Sequence, residues 1–177
     1  MSTLPVFVDL QGFIVREKFV VKEVAVLRDG CALSYYIFYP PMEWNLLTNQ
    51  EKSKACWLTA NYHNLKWTDG YVDYNLAKRL IKDAVYENMN TETHIPIYVK
   101  GTEKIQWLKN IIEGCVNDYA ARIETIDADF DNIGRLETLH LTRNLHCPFH
   151  LRHCAMSNVW KLYNWWTSRE NGMEFVD

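Results

Sequence analysis

The chain has 177 residues, 48% of them hydrophobic, which is enough to bury one core and predicts a single domain spanning residues 1–177. Its 19 Lys and Arg against 22 Asp and Glu give a net charge of −3, so the broad basic field of a sequence-independent nucleic-acid binder is excluded and any such contact has to be local. The opening MSTLPVFVDLQGF lacks the basic segment and apolar run of a secretion signal, and no window reaches the roughly 20 apolar residues of a membrane span. An intracellular protein, cytoplasmic or nuclear, without a membrane partner is the expectation.

Three strand-like runs come first: LPVFVDL, KFVVKEVAVL and ALSYYIFYP, the last two joined by Arg28-Asp29-Gly30-Cys31, a hairpin turn centred on Asp-Gly. They predict an antiparallel three-stranded meander. Pro40-Pro41 breaks the third run, and residues 48–62 read as loop and short helix with Trp57, Leu58 and Tyr62 as apolar positions. YNLAKRLIKDAVY (74–86) sets Leu76, Ala77, Leu80, Ile81 and Ala84 at helical spacing, opposite Lys78, Arg79, Lys82 and Asp83. A short apolar strand IPIYVKG, an amphipathic helix EKIQWLKNII (103–112) and a parallel-type strand RIETID follow. Residues 117–142 end in an acidic connection, and a helix from about residue 154 to 166 carries Val159, Leu162, Tyr163 and Trp166. This succession predicts an α/β fold of the ribonuclease H-like type, a mixed sheet with helices on both faces.

Five cysteines in a chain without a secretion signal favour reduced thiols, and metal ligation over a disulfide framework. Cys31, Cys56 and Cys115 stand alone and read as small core residues. NLHCPFHLRHC (144–154) differs, because Cys147, His150 and Cys154 have spacings compatible with one tetrahedral zinc ion. Pro148 favours a turn between the first two, and Cys154 falls at the start of the last helix. A fourth ligand is missing locally; His146 and His153 are spare candidates. A buried thiol with surface histidines, or a catalytic Cys-His pair, are the competing readings.

Phe7-Val8-Asp9-Leu10-Gln11-Gly12-Phe13 resembles the first motif of the DEDD exonucleases, whose clustered carboxylates hold two Mg²⁺ ions. Here Gln11 stands where the second carboxylate belongs. Glu103 lies near the position of a later carboxylate but is followed by Lys104, and His153 and Asn158 reproduce the last His and Asp with Asn in place of Asp. Asp9 is the one clean match, leaving Asp9, Gln11, Glu103, His153 and Asn158 as vestiges with no catalytic role expected.

Together these motifs resemble the Maelstrom domain, a ribonuclease H-like module of germline small-RNA (piRNA) silencing of transposons. It has lost the exonuclease carboxylates and carries a Glu-Cys-His-Cys set. The resemblance implies that Glu23, in FVVKEVAVLRDG, is the fourth zinc ligand beside Cys147, His150 and Cys154. Strand alternation alone groups Val21, Glu23 and Ala25 on one face and Lys22, Val24 and Val26 on the other, which leaves Glu23 open to being solvent-facing. IPIYVKGTEKIQWLKNII is also similar to the family's fourth strand and following helix. The His150 to Cys154 spacing is shorter than the family's, and these residues include no high-mobility-group box, so a stand-alone, insect-type relative is the nearer likeness.

The resemblance implies single-stranded RNA or silencing-pathway proteins as partners, with residual single-stranded RNA cleavage independent of the ancestral site. Candidate RNA contacts are Lys100 and Lys104 beside Trp107, and Arg152 and Lys161 beside Trp160, since cations meet phosphate and rings stack on bases. Two alternatives stand beside this reading. One is a protein-interaction module that binds no RNA, which suits the acidic balance; the other is an atypical active exonuclease using Asp9, Glu103 and His153.

Overall fold

The first hydrophobic runs become β1 (Val6–Val15), β2 (Lys18–Arg28) and β3 (Ala32–Ile37), joined antiparallel in that order. The computed structural model describes residues 4–89, 94–112, 121–130, 132–141 and 145–172. At the Asp29-Gly30 turn both residues are left-handed, with φ of 51° and 64°, and a side chain at Gly30 would land on the ring of Tyr163.

The first hairpin is longer than the sequence suggests, because β1 continues past Leu10 to Val15 and turns at Arg16 and Glu17, with φ of 50° and 62°. Neither residue type favours that conformation, so the turn left no signature in the sequence. Packing fixes it instead: Phe13, Val15 and Val20 are buried with Leu47, Ala55 and Trp67.

The pairing of β1 with β2 slips between Gln11 and Gly12, making Lys22 an extra residue on β2. Alternation therefore breaks there. Val21 joins Val24 and Val26 in one core, while Ala25 and Leu27 belong to the other, which corrects the grouping of Val21 with Glu23 and Ala25. A Cβ at Gly12 would collide with the Val20 carbonyl. The buried Lys22 ammonium donates to the carbonyls of Phe38 at 3.0 Å, Trp67 at 2.6 Å and Asp69, using all three of its donors. Burial lowers its pKa to about 8.

Helix α1 (Asn49–Leu58) starts at a capping box in which Thr48 and Glu51 satisfy each other's backbone N–H groups. It runs into a π-helical turn, Thr59–His63, closed by Asn64 at φ 59°. After α2 (Ala77–Tyr86), β4 (Ile95–Val99) pairs parallel with β1. Helix α3 (Thr102–Ile112) then leads to β5 (Ala121–Thr125), parallel with β4, followed by α4 (Ile126–Asp129) and α5 (Ala155–Glu170).

The result is an α/β fold with a five-stranded mixed sheet in the order β3-β2-β1-β4-β5. Ile81 and Val85 of α2 and Leu108 of α3 pack on Val8, Val24 and Ile97 on one face, while Val159 and Leu162 of α5 cover Phe7, Ala25 and Leu27 on the other. Each of these Val, Leu, Ile and Phe side chains contributes roughly 1.5–3 kcal/mol by leaving water. Asp9 and Glu23, placed among these residues, are 0% exposed, so the sheet has to neutralise or pair both.

Cys31 and Cys56 are exposed, contrary to their reading as core residues: the first lies in the β2–β3 turn and the second faces outward from α1. Cys115 lies outside the described residues. Among the described residues, no helix is long and apolar enough to cross a membrane.

Candidate metal centre and the Asp9 pocket

Glu23, Cys147, His150 and Cys154 meet beneath the start of α5, with their ligand atoms all within 4.8 Å of one another and all four residues buried. β2 delivers Glu23, the 147–150 turn delivers Cys147 and His150, and Cys154 occupies the N-cap position of α5. Cys154 makes no side-chain cap bond; Glu23 supplies one from another element, its Oε1 accepting the Ala155 N–H at 2.8 Å. A carboxylate there meets the positive end of the helix.

Backbone groups orient the remaining donors. His150 Nδ1 lies 2.9 Å from the Arg152 carbonyl, which fixes a hydrogen on Nδ1 and turns Nε2 toward Glu23 Oε2 at 2.5 Å. The Phe149 N–H donates to Cys147 Sγ at 3.4 Å and the Cys147 N–H to Cys154 Sγ at 3.3 Å, so both sulfurs face N–H groups that stabilise a thiolate. The Tyr35 hydroxyl donates to Glu23 Oε2.

These contacts shift every titration in the cluster. Cys154, then His150 and Tyr35, hold the Cys147 pKa down at about 3. Burial pushes His150 down, yet Cys147 and Glu23 outweigh it and raise the imidazole to about 10. Cys147 and burial push the Cys154 thiol up, and burial raises Glu23 against the pull of His150. Two sulfurs, an imidazole nitrogen and a carboxylate form a donor set that could hold a metal ion. His150 Nε2 and Glu23 Oε2 would have to part for both to bind it, releasing the proton between them.

Asp9 lies buried beside this centre, under three donors. Lys104 Nζ is 2.6 Å from Oδ1, Asn158 Nδ2 is 2.7 Å from Oδ2, and Gln11 Nε2 is 3.3 Å from Oδ2. Gln11 also donates to the His153 carbonyl at 2.8 Å. Both partners of Gln11 are acceptors, so an amide fits where a carboxylate could not. The same holds for Asn158, and Lys104 supplies the positive charge. Glu103 is exposed on α3, away from this set of bonds. His153, at φ 52°, stacks on Tyr62 with centroids 4.0 Å apart and sits 3.4 Å from Glu137.

The basic residues singled out for RNA are mostly engaged. Lys100 pairs with Asp127 at 2.5 Å, Lys104 is held by Asp9, and Lys161 donates to the Leu136 carbonyl at 3.1 Å; Arg152 is exposed. Trp107 lies flat on Phe19 at 3.9 Å, and Trp160 meets Tyr163 edge-on, so both rings have protein neighbours. His146 turns its Nδ1 to the Cys147 carbonyl, 2.8 Å away, and stays outside the cluster. Sequence reasoning missed Tyr35, the hydroxyl partner of Glu23; its place opposite Ala25 on β3 is the one signal that could have found it, once the strand register is known. Comparison with protein-family models, curated proteins and solved structures gives no match to this chain.

Proposed function

We infer that this chain is a ribonuclease H-like domain of the Maelstrom type, braced by a structural zinc ion and acting in RNA binding within small-RNA silencing rather than in metal-dependent exonuclease cleavage. The observation that carries the reading is the contrast between two adjacent sites on one face of the sheet. One gathers soft and borderline donors close enough together to share a cation, and the other surrounds its carboxylate with an ammonium and two amides.

Zinc is the ion this donor set favours. Thiolates and imidazole select it over Mg²⁺ or Ca²⁺, and four protein ligands without an open position make a structural site. Glu23, Cys147, His150 and Cys154 would hold it, tying β2 and the 145–153 loop to α5. The sheet order and the succession of strands and helices support the ribonuclease H-like assignment. In that frame Asp9 is a former metal ligand with Lys104 as its counter-ion.

Elemental mass spectrometry on the purified protein tests the zinc assignment, with Glu23→Ala and His150→Ala alongside. About one zinc per chain, reduced in both variants, is expected; a metal-free wild-type protein would overturn it. Fluorescence polarisation with labelled single-stranded RNA at low salt, on the chain as purified and without chelator or added Mg²⁺, tests the function. Binding that weakens with salt is expected, and its absence favours the second reading, a protein-interaction module, which the net charge of −3 and the paired lysines support.

A further inference from the structure

We propose that Cys147 and Cys154 form a redox switch, in which hydrogen peroxide joins the two sulfurs as a disulfide and releases the zinc ion while the surrounding fold stays satisfied. The proposal rests on the zinc reading above. The ligand atoms of Glu23, Cys147, His150 and Cys154 all lie within 4.8 Å of one another, so the two sulfurs need approach by at most about 3 Å to reach the S–S bond length of roughly 2 Å.

The cluster divides into two pairs, each of which does without a cation. His150 Nε2 is 2.5 Å from Glu23 Oε2 and Glu23 Oε1 accepts the Ala155 N–H at 2.8 Å, so imidazole and carboxylate satisfy one another unaided. His150 Nδ1 keeps the Arg152 carbonyl at 2.9 Å. The other pair is the two sulfurs, buried with Ile37 and Leu65 and flanked by Met156. Two thiolates left there without an ion would be buried charges, whereas a disulfide is uncharged and suits the apolar setting. Oxidation therefore removes the negative charges that the metal neutralises and leaves none unpaired.

Position in the chain gives the order of events. Cys147 stands between the exposed residues His146, Pro148 and Phe149, where a local opening of the turn admits a small oxidant, while Cys154 is fixed at the N-cap position of α5. Cys147 Sγ attacks one peroxide oxygen, the O–O bond breaks, and the departing hydroxide is protonated to water, leaving Cys147 as a sulfenic acid. Cys154 Sγ then displaces the hydroxyl group to form the S–S bond, and this second hydroxide is likewise protonated. The sulfurs together give up two electrons, the peroxide accepts them, and zinc stays divalent. Glu23 and His150 take up a proton between them and re-form their pair. A metal tie from β2 to α5 is thus exchanged for a link within residues 147–154.

The full chain as purified is assayed for zinc, then treated with hydrogen peroxide beside a colorimetric zinc chelator, and its tryptic peptides are read unreduced in the mass spectrometer. Arg152 lies between the two cysteines, so trypsin separates 144–152 from 153–161 and a disulfide leaves them joined. Release of about one zinc per chain is expected in step with the joined pair, and dithiothreitol with added zinc should restore the starting state. The double variant Cys31→Ser, Cys56→Ser removes the exposed thiols and is expected to release zinc at the wild-type rate. Circular dichroism of the oxidised chain should match that of the parent. Zinc that stays bound while only Cys31 and Cys56 are oxidised overturns the switch and leaves the zinc reading standing. Release accompanied by sulfinic acids in place of the joined pair, or by loss of the folded signal, does the same. A purified chain without zinc overturns the zinc reading and the switch with it.

Discussion

Glu23 Oε1, from the middle of the sheet, bonds the Ala155 N–H at 2.8 Å, so a strand residue caps a helix that starts 132 positions later. The other carboxylate oxygen accepts from Tyr35 and lies 2.5 Å from His150 Nε2. One side chain thereby closes the helix end, neutralises an imidazolium and offers a ligand atom to a cation. The buried carboxylate is tolerable because each of these partners satisfies it.

Removing that carboxylate harms the fold with or without metal. Glu23→Ala leaves His150 and Tyr35 facing an empty space and α5 without its cap, a loss of about 3–5 kcal/mol. Urea unfolding in EDTA isolates this effect from zinc. A variant as stable as the parent there would show that Glu23 matters only as a ligand.

Metal removal acts on the 145–153 loop. With zinc bound, chelation is expected to lower the melting temperature of the wild-type chain, and Cys147→Ser should melt low and respond little to added chelator. Differential scanning calorimetry checks both. Identical melting with and without chelator would contradict a bracing role.

Lys104 is the sole cation bonded to Asp9 among the described residues, so Lys104→Met leaves a buried charge facing two amides and should cost about 3–5 kcal/mol. Adding Asp9→Asn to that variant removes the orphaned charge and should recover much of the loss. A double-mutant cycle by chemical denaturation measures the coupling. Additive losses would mean the pair contributes little beyond packing.

The Asp9 pocket is expected to bind no divalent cation as it stands, because Lys104 already neutralises its single carboxylate. Combining Lys104→Ala, Gln11→Glu and Asn158→Asp restores three carboxylates and should create a Mn²⁺ site detectable by electron paramagnetic resonance. Mn²⁺ binding by the wild-type protein, lost in Asp9→Ala, would reinstate the exonuclease alternative.

His63 gives stability a pH dependence of known sign. Its Nε2 lies 3.1 Å from the Gly12 carbonyl and its Nδ1 accepts the Leu65 N–H at 3.1 Å, an arrangement that only the neutral ring satisfies. Burial, opposed by the Gly12 bond, lowers its pKa to about 4, against about 6.5 when unfolded. Between those values the unfolded chain binds more protons, so this contribution is present above pH 6.5 and is lost as the pH falls toward 4, by about 3 kcal/mol in full. His63→Gln should flatten the acid limb of stability against pH; an unchanged slope would assign that limb to other groups.

Periodicity in the chain determined the main elements, because helical and strand faces are written into local spacing: Leu80, Ile81 and Ala84 marked α2, and the Asp29-Gly30 turn marked the β2–β3 hairpin. The grouping of Cys147, His150 and Cys154 was equally local, lying within eight residues. What the sequence could not express was the partner of a charge. Alternation left Glu23 free to face water, and it is the bulge at Lys22 and the docking of α5 that place it among Cys147, His150 and Cys154. The Arg16-Glu17 turn has no turn-forming residue type and exists because its flanking strands pair. Gln11, Lys104 and Asn158 read in sequence as losses from a carboxylate motif; the fold brings all three to Asp9, 2 to 149 positions away, as the donors it requires. Side-chain patterns decide which segments form and which face they bury, whereas the neutralisation of a buried charge depends on atoms that only the folded chain brings within hydrogen-bond reach.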